Sequence, residues 1–285
     1  MTVRIVTDSA CDLTDDEATA LGIAVVPLTI RFGTEEFIDR LELSTADFYD
    51  KLATSPDLPQ TAAPAPGAFV AAYRLLQTEG ADEIVCINLS AQLSATMQSA
   101  QNAALACASE IAVHVVDSRS ITAGLGSLVT LAARAARAGA SAAEVIALVE
   151  DLKSRQFVYG TLDTLENLKK GGRIGGAQAL LGSMLSIKPL LDLSSGAVAD
   201  AGKTRTRKKA FAWLRDMVAQ HGPVENLNVI HGFAPDLAEF LDLLRPDFDL
   251  SQVRVGPIGA VIGTHGGPRV VGVAFHRSRS RPSAT

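Results

Sequence analysis

Short runs rich in Val and Ile alternate with long Ala-rich or amphipathic stretches through the first half of the chain: VRIVT (3 to 7), IAVVPLTI (23 to 30), IVCINL (84 to 89) and AVHVVD (112 to 117). A strand that is apolar along its whole length has both faces covered, and connections this long between strands carry helices. The pattern therefore predicts a parallel sheet with helices packed on it. Stretches 66 to 79, 93 to 109 and 124 to 138 read as the helices. Ala-rich TLAARAARAGASAAEV favours helix strongly and is expected to stop at Gly139. Residues 1–155 are thus expected to form an N-terminal, Rossmann-like parallel α/β domain.

After a helix over 142 to 154 the pattern changes near FVYGTL (157 to 162). A short helix is predicted through TLENLKK up to the glycine pair 171 and 172. The segment SIKPLLDLSSGAVADAG then reads as two strands joined at Ser195-Gly196, a hairpin signal. A helix from about 206 to 220, a strand at LNVIHG, a helix over 234 to 244 and strands near 253 to 256 and 270 to 275 complete it. Residues 156–277 are expected to form a C-terminal α+β domain with a mixed sheet, and 278–285 a basic tail. No low-complexity linker separates the halves, so they are expected to pack closely around one crevice, a setting that ligands favour.

A length of 285 residues suits about two domains. Hydrophobic content of 47% against 20% charged residues fits a globular chain and excludes a disordered one. The net charge of -5 gives no whole-chain attraction for nucleic acid or an anionic membrane. The cysteines, Cys11, Cys86 and Cys107, are odd in number and lack C-x-x-C spacing, so neither a zinc site nor a disulfide framework is expected, and a reducing cytoplasm is. The N-terminus has no signal-peptide pattern, and no apolar window is long enough to span a bilayer.

The predicted parallel strands end in Thr7-Asp8-Ser9, in Ser90 with Ser94, and in Asp117-Ser118. Carboxyl ends of strands form the binding edge of such sheets, so these groups should converge. Each is also a preferred helix cap, and Asp8 is read as structural. His265 lies in the glycine-rich run GTHGGPRVVG, read as a turn between two strand-like segments, where it can exchange hydrogen bonds near neutral pH. The other four of the five histidines lack such a setting. Arg173 is exposed on a glycine-flanked loop in LKKGGRIGG. KTRTRKKA carries Arg205 and Arg207, and reads either as a solvated face or as a phosphate-recognising one. The phosphate-loop, dinucleotide-binding and hydrolase-elbow motifs are absent.

Taken in order, VTDSACDL (6 to 13), NLSAQLSATMQSA (88 to 100), VVDSRS (115 to 120), TLENLKKGGRI (164 to 174), SIKPLL (186 to 191), KTRTRKKA (203 to 210) and IGTHGGP (262 to 268) resemble the DegV family along essentially the whole chain. The resemblance implies a two-domain protein that encloses a long-chain fatty acid between its domains. It implies that Thr61, Ser94 and His265 hold the carboxyl group. It further implies that a separate kinase subunit using ATP converts that carboxyl to an acyl phosphate, with Arg173, Arg205 and, less directly, Arg207 facing partner and phosphate. On this reading the chain is a binding subunit and not an enzyme, has no cofactor beyond the bound fatty acid, binds no nucleic acid, and touches membranes at most peripherally for lipid exchange. Monomer is the default state.

The chain departs from the family pattern at Ala62 and Ala63, at Ala95 and Met97 beside Ser94, and at Arg269 after Gly-Gly-Pro. Two other readings compete. One is a small-molecule hydrolase with Ser94 as nucleophile and His265 as base. The other is a nucleic-acid module built on KTRTRKKA, which predicts steeply salt-dependent binding.

Overall fold

A computed structural model describes residues 1–182 and 187–279. Its first half runs β1 (Val3–Asp8), α1 (Asp15–Leu21), β2 (Ala24–Val26), β3 (Thr29–Phe32), β4 (Glu35–Ile38), α2 (Thr45–Thr54), β5 (Gln60–Ala62), α3 (Pro66–Thr78), β6 (Glu83–Asn88), α4 (Thr96–Ala106), β7 (Ala112–Asp117), α5 (Thr122–Arg137) and α6 (Ala142–Ser154). The Val and Ile runs form the expected parallel sheet, in the order β2-β1-β6-β7. Alternate residues of a strand face opposite sides. Along β6, Val85 and Ile87 pack with Leu125, Val129 and Val145 of α5 and α6. Ile84 and Cys86 pack on the other face with Phe69 and Tyr73 of α3 and Ala100 and Ala103 of α4. A run apolar at every position is what a sheet covered on both faces requires.

The run IAVVPLTI is not one strand. Pro27 has no N–H for a ladder and divides it: β2 stays in the parallel sheet, whereas β3 joins a separate antiparallel sheet of order β4-β3-β5. This small sheet pairs Thr61 with Ile30 and so fixes Thr61 in space. The helix expected over 93 to 109 starts only at Thr96. Before it, residues 90 to 94 form a turn in which the amide of Ser94 donates to the Ser90 carbonyl at 3.2 Å.

The second half contains β8 (Gln156–Thr161), α7 (Glu166–Lys170), a 3-10 helix (Gly175–Gly182), β9 (Lys188–Asp192), β10 (Ala199–Thr204), α8 (Arg207–Ala219), β11 (Val224–His231), α9 (Leu237–Leu244), β12 (Arg254–Pro257), α10 (Ala260–Gly266) and β13 (Val271–Arg277). The expected mixed sheet has the order β10-β9-β8-β13-β11-β12, antiparallel except between β11 and β12. Along β13, Val271, Val273 and Phe275 pack under α8 and α9 with Phe211, Leu214 and Phe240. Gly272 and Ala274 face the other way, toward the first half.

The apolar run before His265 is a helix, α10, and not a strand. It packs on α2, β3 and β5 of the first half. Further ties cross between the halves. Arg254 donates to both carboxylate oxygens of Glu17 at 2.7 Å, the Gly259 amide to Asp12 Oδ1 at 3.1 Å, and the Ser90 hydroxyl to the Gly196 carbonyl at 2.6 Å. Of the expected basic tail, Arg279 pairs with Asp151 at 2.8 Å; residues 280–285, like Ser186 of SIKPLL, lie outside the described residues.

Candidate ligand site

A cavity lies between the inner face of the mixed sheet and the strand ends of the parallel sheet. Its walls are Leu28, Leu89, Leu93 and Ile121 from the first half, and Val158, Leu191, Ile230 and Val270 among others from the second. It contains about 830 Å³ of space free of protein atoms, its open mouth included. Gly272 borders it, and a Cβ there would lie 2.7 Å from the Tyr159 carbonyl and 3.2 Å from Ile230 Cγ1, so the close approach of the flanking strands at this wall requires glycine.

Thr61, Ser94, Arg173 and His265 border this one cavity. The Thr61 hydroxyl and His265 Nε2 are 3.0 Å apart. His265 Nδ1 is buried without a partner. Burial, reinforced by the Arg173 charge, pushes the imidazole down to about 4, so the ring is neutral at pH 7. Arg173 is held by the turn ahead of α4, with Nε donating to the Leu93 carbonyl at 3.2 Å, and by its own loop, with Nη1 donating to the Gly171 carbonyl at 2.8 Å. No carboxylate among the described residues forms an ion pair with it. The Ser94 hydroxyl lies 2.9 Å from Thr96 Oγ1 and accepts the Thr96 amide at 3.2 Å, so it closes the turn ahead of α4 and borders the cavity at once. Together these groups set short neutral donors and one cation on the cavity wall, with Thr61, Arg173 and His265 as a cluster at its polar end. Such a cluster suits a small anionic or strongly polar group, whose burial without hydrogen bonds would cost several kcal/mol.

Beyond this cluster the cavity adjoins a polar vestibule. Thr61, Arg173 and His265 border both spaces, and Arg31, Gln60, Asn167 and Lys170 line the outer one. The cavity thus has an apolar body and one polar end open to solvent.

Ser94 and His265 do not face each other as nucleophile and base. Each is bonded elsewhere, Ser94 to Thr96 and His265 to Thr61, and no carboxylate orients His265 Nδ1. Asp8 is enclosed, accepting from the Ala10 and Leu89 amides and the Asn88 side chain; burial pushes it up to about 6. Arg207 stands apart from Arg173. It forks onto Asp236, reaches Asp163 at 3.2 Å, donates to the Arg269 carbonyl at 2.9 Å, and its side chain is only 11% exposed. Its guanidinium is committed to this network, whereas Arg205 is exposed. Arg269 pairs with Asp163 at 3.2 Å and does not border the cavity. Ala62 and Ala95 are exposed, and neither they nor Ala63 and Met97 border it.

The sequence reading passed over two residues. At Gly171 a Cβ would fall 2.3 Å from His265 Nδ1, so the imidazole occupies space that only glycine leaves free. Thr122, 1% exposed, also borders the cavity. Its positive φ of 50° is invisible in a sequence.

Residues 2–278 match the family described as "Uncharacterised protein, DegV family". A DegV domain-containing protein of Halalkalibacterium halodurans is 36% identical over 278 residues, covering 96% of this chain and 98% of that protein. One from Streptomyces coelicolor is 39% identical over 277 residues, covering 95% and 97%. Among solved structures, a fatty-acid-binding DegV family protein from Thermus thermophilus superposes with a TM-score of 0.88 at 34% identity, over 98% of this chain and 100% of the other. DegV of Bacillus subtilis, a fatty acid binding protein, gives 0.84 at 29% identity with the same coverage. The sheet order, the shared architecture and these whole-length matches have one meaning: the chain belongs to the DegV family.

Proposed function

We propose that this protein encloses a long-chain fatty acid in the cavity, with the carboxyl group among Thr61, Ser94 and His265, and presents it to a separate ATP-using kinase subunit. The observation that carries this reading is the polarity of the cavity, apolar along its body and hydrogen-bonding at the one end that opens into the vestibule. Fatty acid binding by the Thermus thermophilus and Bacillus subtilis proteins supports it. Each buried methylene would contribute about 0.8 kcal/mol, so the chain supplies the affinity and the polar end sets the orientation. Neutral His265 donates or accepts a hydrogen bond without forming a tight ion pair, which leaves a carboxylate oxygen free to attack the γ-phosphorus of ATP as the bond to ADP breaks. Arg173 stands at the mouth for the phosphoryl group, and exposed Arg205 offers a contact to the kinase subunit.

We place the protein in the cytoplasm, with peripheral membrane contact for lipid exchange and two domains at 1–155 and 156–277. No helix among the described residues is long and apolar enough to cross a membrane. Organic extraction of the purified protein followed by mass spectrometry tests the binding step, and failure to find or load any fatty acid overturns it. Acyl phosphate formation that requires both this protein and a kinase subunit tests the second step.

A further inference from the structure

The cap position of α5 is held by Ile121, which has no side-chain oxygen for the first-turn amides, and Thr122, the next residue, does not take over that role. Its φ of 50° is the left-handed conformation that a β-branched residue rarely adopts, and α5 has no side-chain cap at this end. The Oγ1 atom is buried without any hydrogen-bond partner, and the residue borders the cavity. A buried hydroxyl left unpaired is costly, and backbone strain of this kind gathers where a ligand is handled.

The neighbours of Thr122 separate it from the carboxyl cluster. Two residues further along α5, a Cβ on Gly124 would lie 2.9 Å from Val158 Cγ2 and 3.6 Å from Gln156 Oε1, which sets this turn against the first residues of β8. His265 instead abuts Gly171 and borders the polar vestibule, which Thr122 does not. Two other unpartnered hydroxyls of the same region, on Thr7 and Ser120, do not border the cavity. Tyr159, which does, has its hydroxyl 3.1 Å from His221 Nε2.

We infer that Thr122 is a second polar contact inside the apolar part of the cavity, and that it recognises a hydroxyl group carried on the acyl chain away from the carboxyl. This rests on the fatty-acid reading given above. A chain hydroxyl both donates and accepts, as Thr122 Oγ1 does, so one ligand group satisfies the orphan atom and is itself satisfied. In an otherwise aliphatic wall, a hydroxyl at any other position would be buried unpaired.

The test is a competition assay on the delipidated, full-length protein, using one saturated fatty acid and its set of positional monohydroxy isomers. Isomers hydroxylated within a narrow window of the chain should bind about fivefold tighter than the saturated acid, and isomers outside it more weakly. Thr122→Val keeps the branched shape and should abolish the window, every hydroxy isomer then binding that variant more weakly than the saturated acid does; Thr122→Ser keeps a hydroxyl and should retain the window. The inference is overturned if every hydroxy isomer binds more weakly than the saturated acid, or if the window persists in Thr122→Val. If the saturated acid fails to bind as well, the proposed function itself falls, which is a distinguishable result.

Discussion

The Thr61 hydroxyl and the His265 imidazole meet at 3.0 Å although 204 residues of chain separate them. One comes from the small sheet built on β3, the other from the short helix α10, so the polar end of the cavity exists only where the two halves of the chain touch. Replacing Thr61 with Val keeps the shape and deletes the hydroxyl. A net hydrogen bond contributes about 1 kcal/mol, so fatty acid affinity should fall roughly fivefold, with the secondary structure unchanged by circular dichroism. An unaltered affinity would remove Thr61 from the site.

Ser94→Ala should weaken binding to a similar degree and lower thermal stability by about 1 kcal/mol, because the same oxygen accepts the Thr96 amide. Ala95→Gly serves as its control. That methyl group faces solvent, so the binding isotherm of this variant should superimpose on that of the parent.

Gly171→Ala is expected to act on the site through packing alone. The backbone there is ordinary, but the added carbon would lie 2.3 Å from His265 Nδ1 and 3.0 Å from the Asn167 carbonyl. The imidazole must move off Thr61. Ligand affinity should therefore drop by about tenfold or more, a larger loss than Thr61→Val produces, as read by isothermal titration.

The depressed His265 gives a pH signature. An unfolded histidine titrates near 6.5, whereas folded His265 is held down to about 4 by burial and by Arg173. Below 6.5 the unfolded chain gains a proton that the folded one refuses, so this residue withdraws stability as pH falls toward 4. His276, also pushed down to about 4, acts the same way. Asp8 and Asp39, raised to about 6 by burial, act oppositely across much of that range, because the folded state keeps protons that the unfolded state has lost. The whole protein therefore masks the effect, and a variant isolates it. The stability advantage of the parent over His265→Gln should shrink by on the order of 1–2 kcal/mol between about pH 7 and pH 5. Thermal unfolding at both values measures it, and a constant difference would contradict the burial of His265.

Arg205 and Arg207, adjacent in the sequence motif, should separate by experiment. Arg207→Ala leaves Asp236 and Asp163 short of a cation and should cost about 1–3 kcal/mol of stability in denaturant titration. On the proposed function, Arg205→Ala should leave stability unchanged and lower only the rate of acyl phosphate formation with the proposed kinase subunit. The reverse pattern would exchange their roles.

Much of this architecture was legible in the chain. Runs such as IVCINL, apolar at every position, announce a sheet covered on both faces, and the hairpin at Ser195-Gly196 follows from turn chemistry. The misreadings have physical causes. IAVVPLTI is uniformly apolar, yet Pro27 parts it between two sheets. The β-branched run before His265 is too short for periodicity to distinguish helix from strand, and tertiary packing on α2, β3 and β5 decides for helix. Thr61, Ser94, Arg173 and His265 were found through motif resemblance, whereas their convergence on one cavity is a matter of topology. Why Arg207 ranks behind Arg205 has its reason in the fold, because a sequence does not show that Asp163 and Asp236 lie beside Arg207. Thr122 carries no sequence signal at all, because its distinguishing feature is a dihedral angle.

The position of α10 bears on how the protein is made. A growing chain that has emerged only as far as β12 already holds the complete parallel sheet, Thr61 and Ser94, yet it lacks the imidazole and the wall formed by Val261 and Val270. On the proposed function, the cavity could close around a fatty acid only once α10 and β13 have been made.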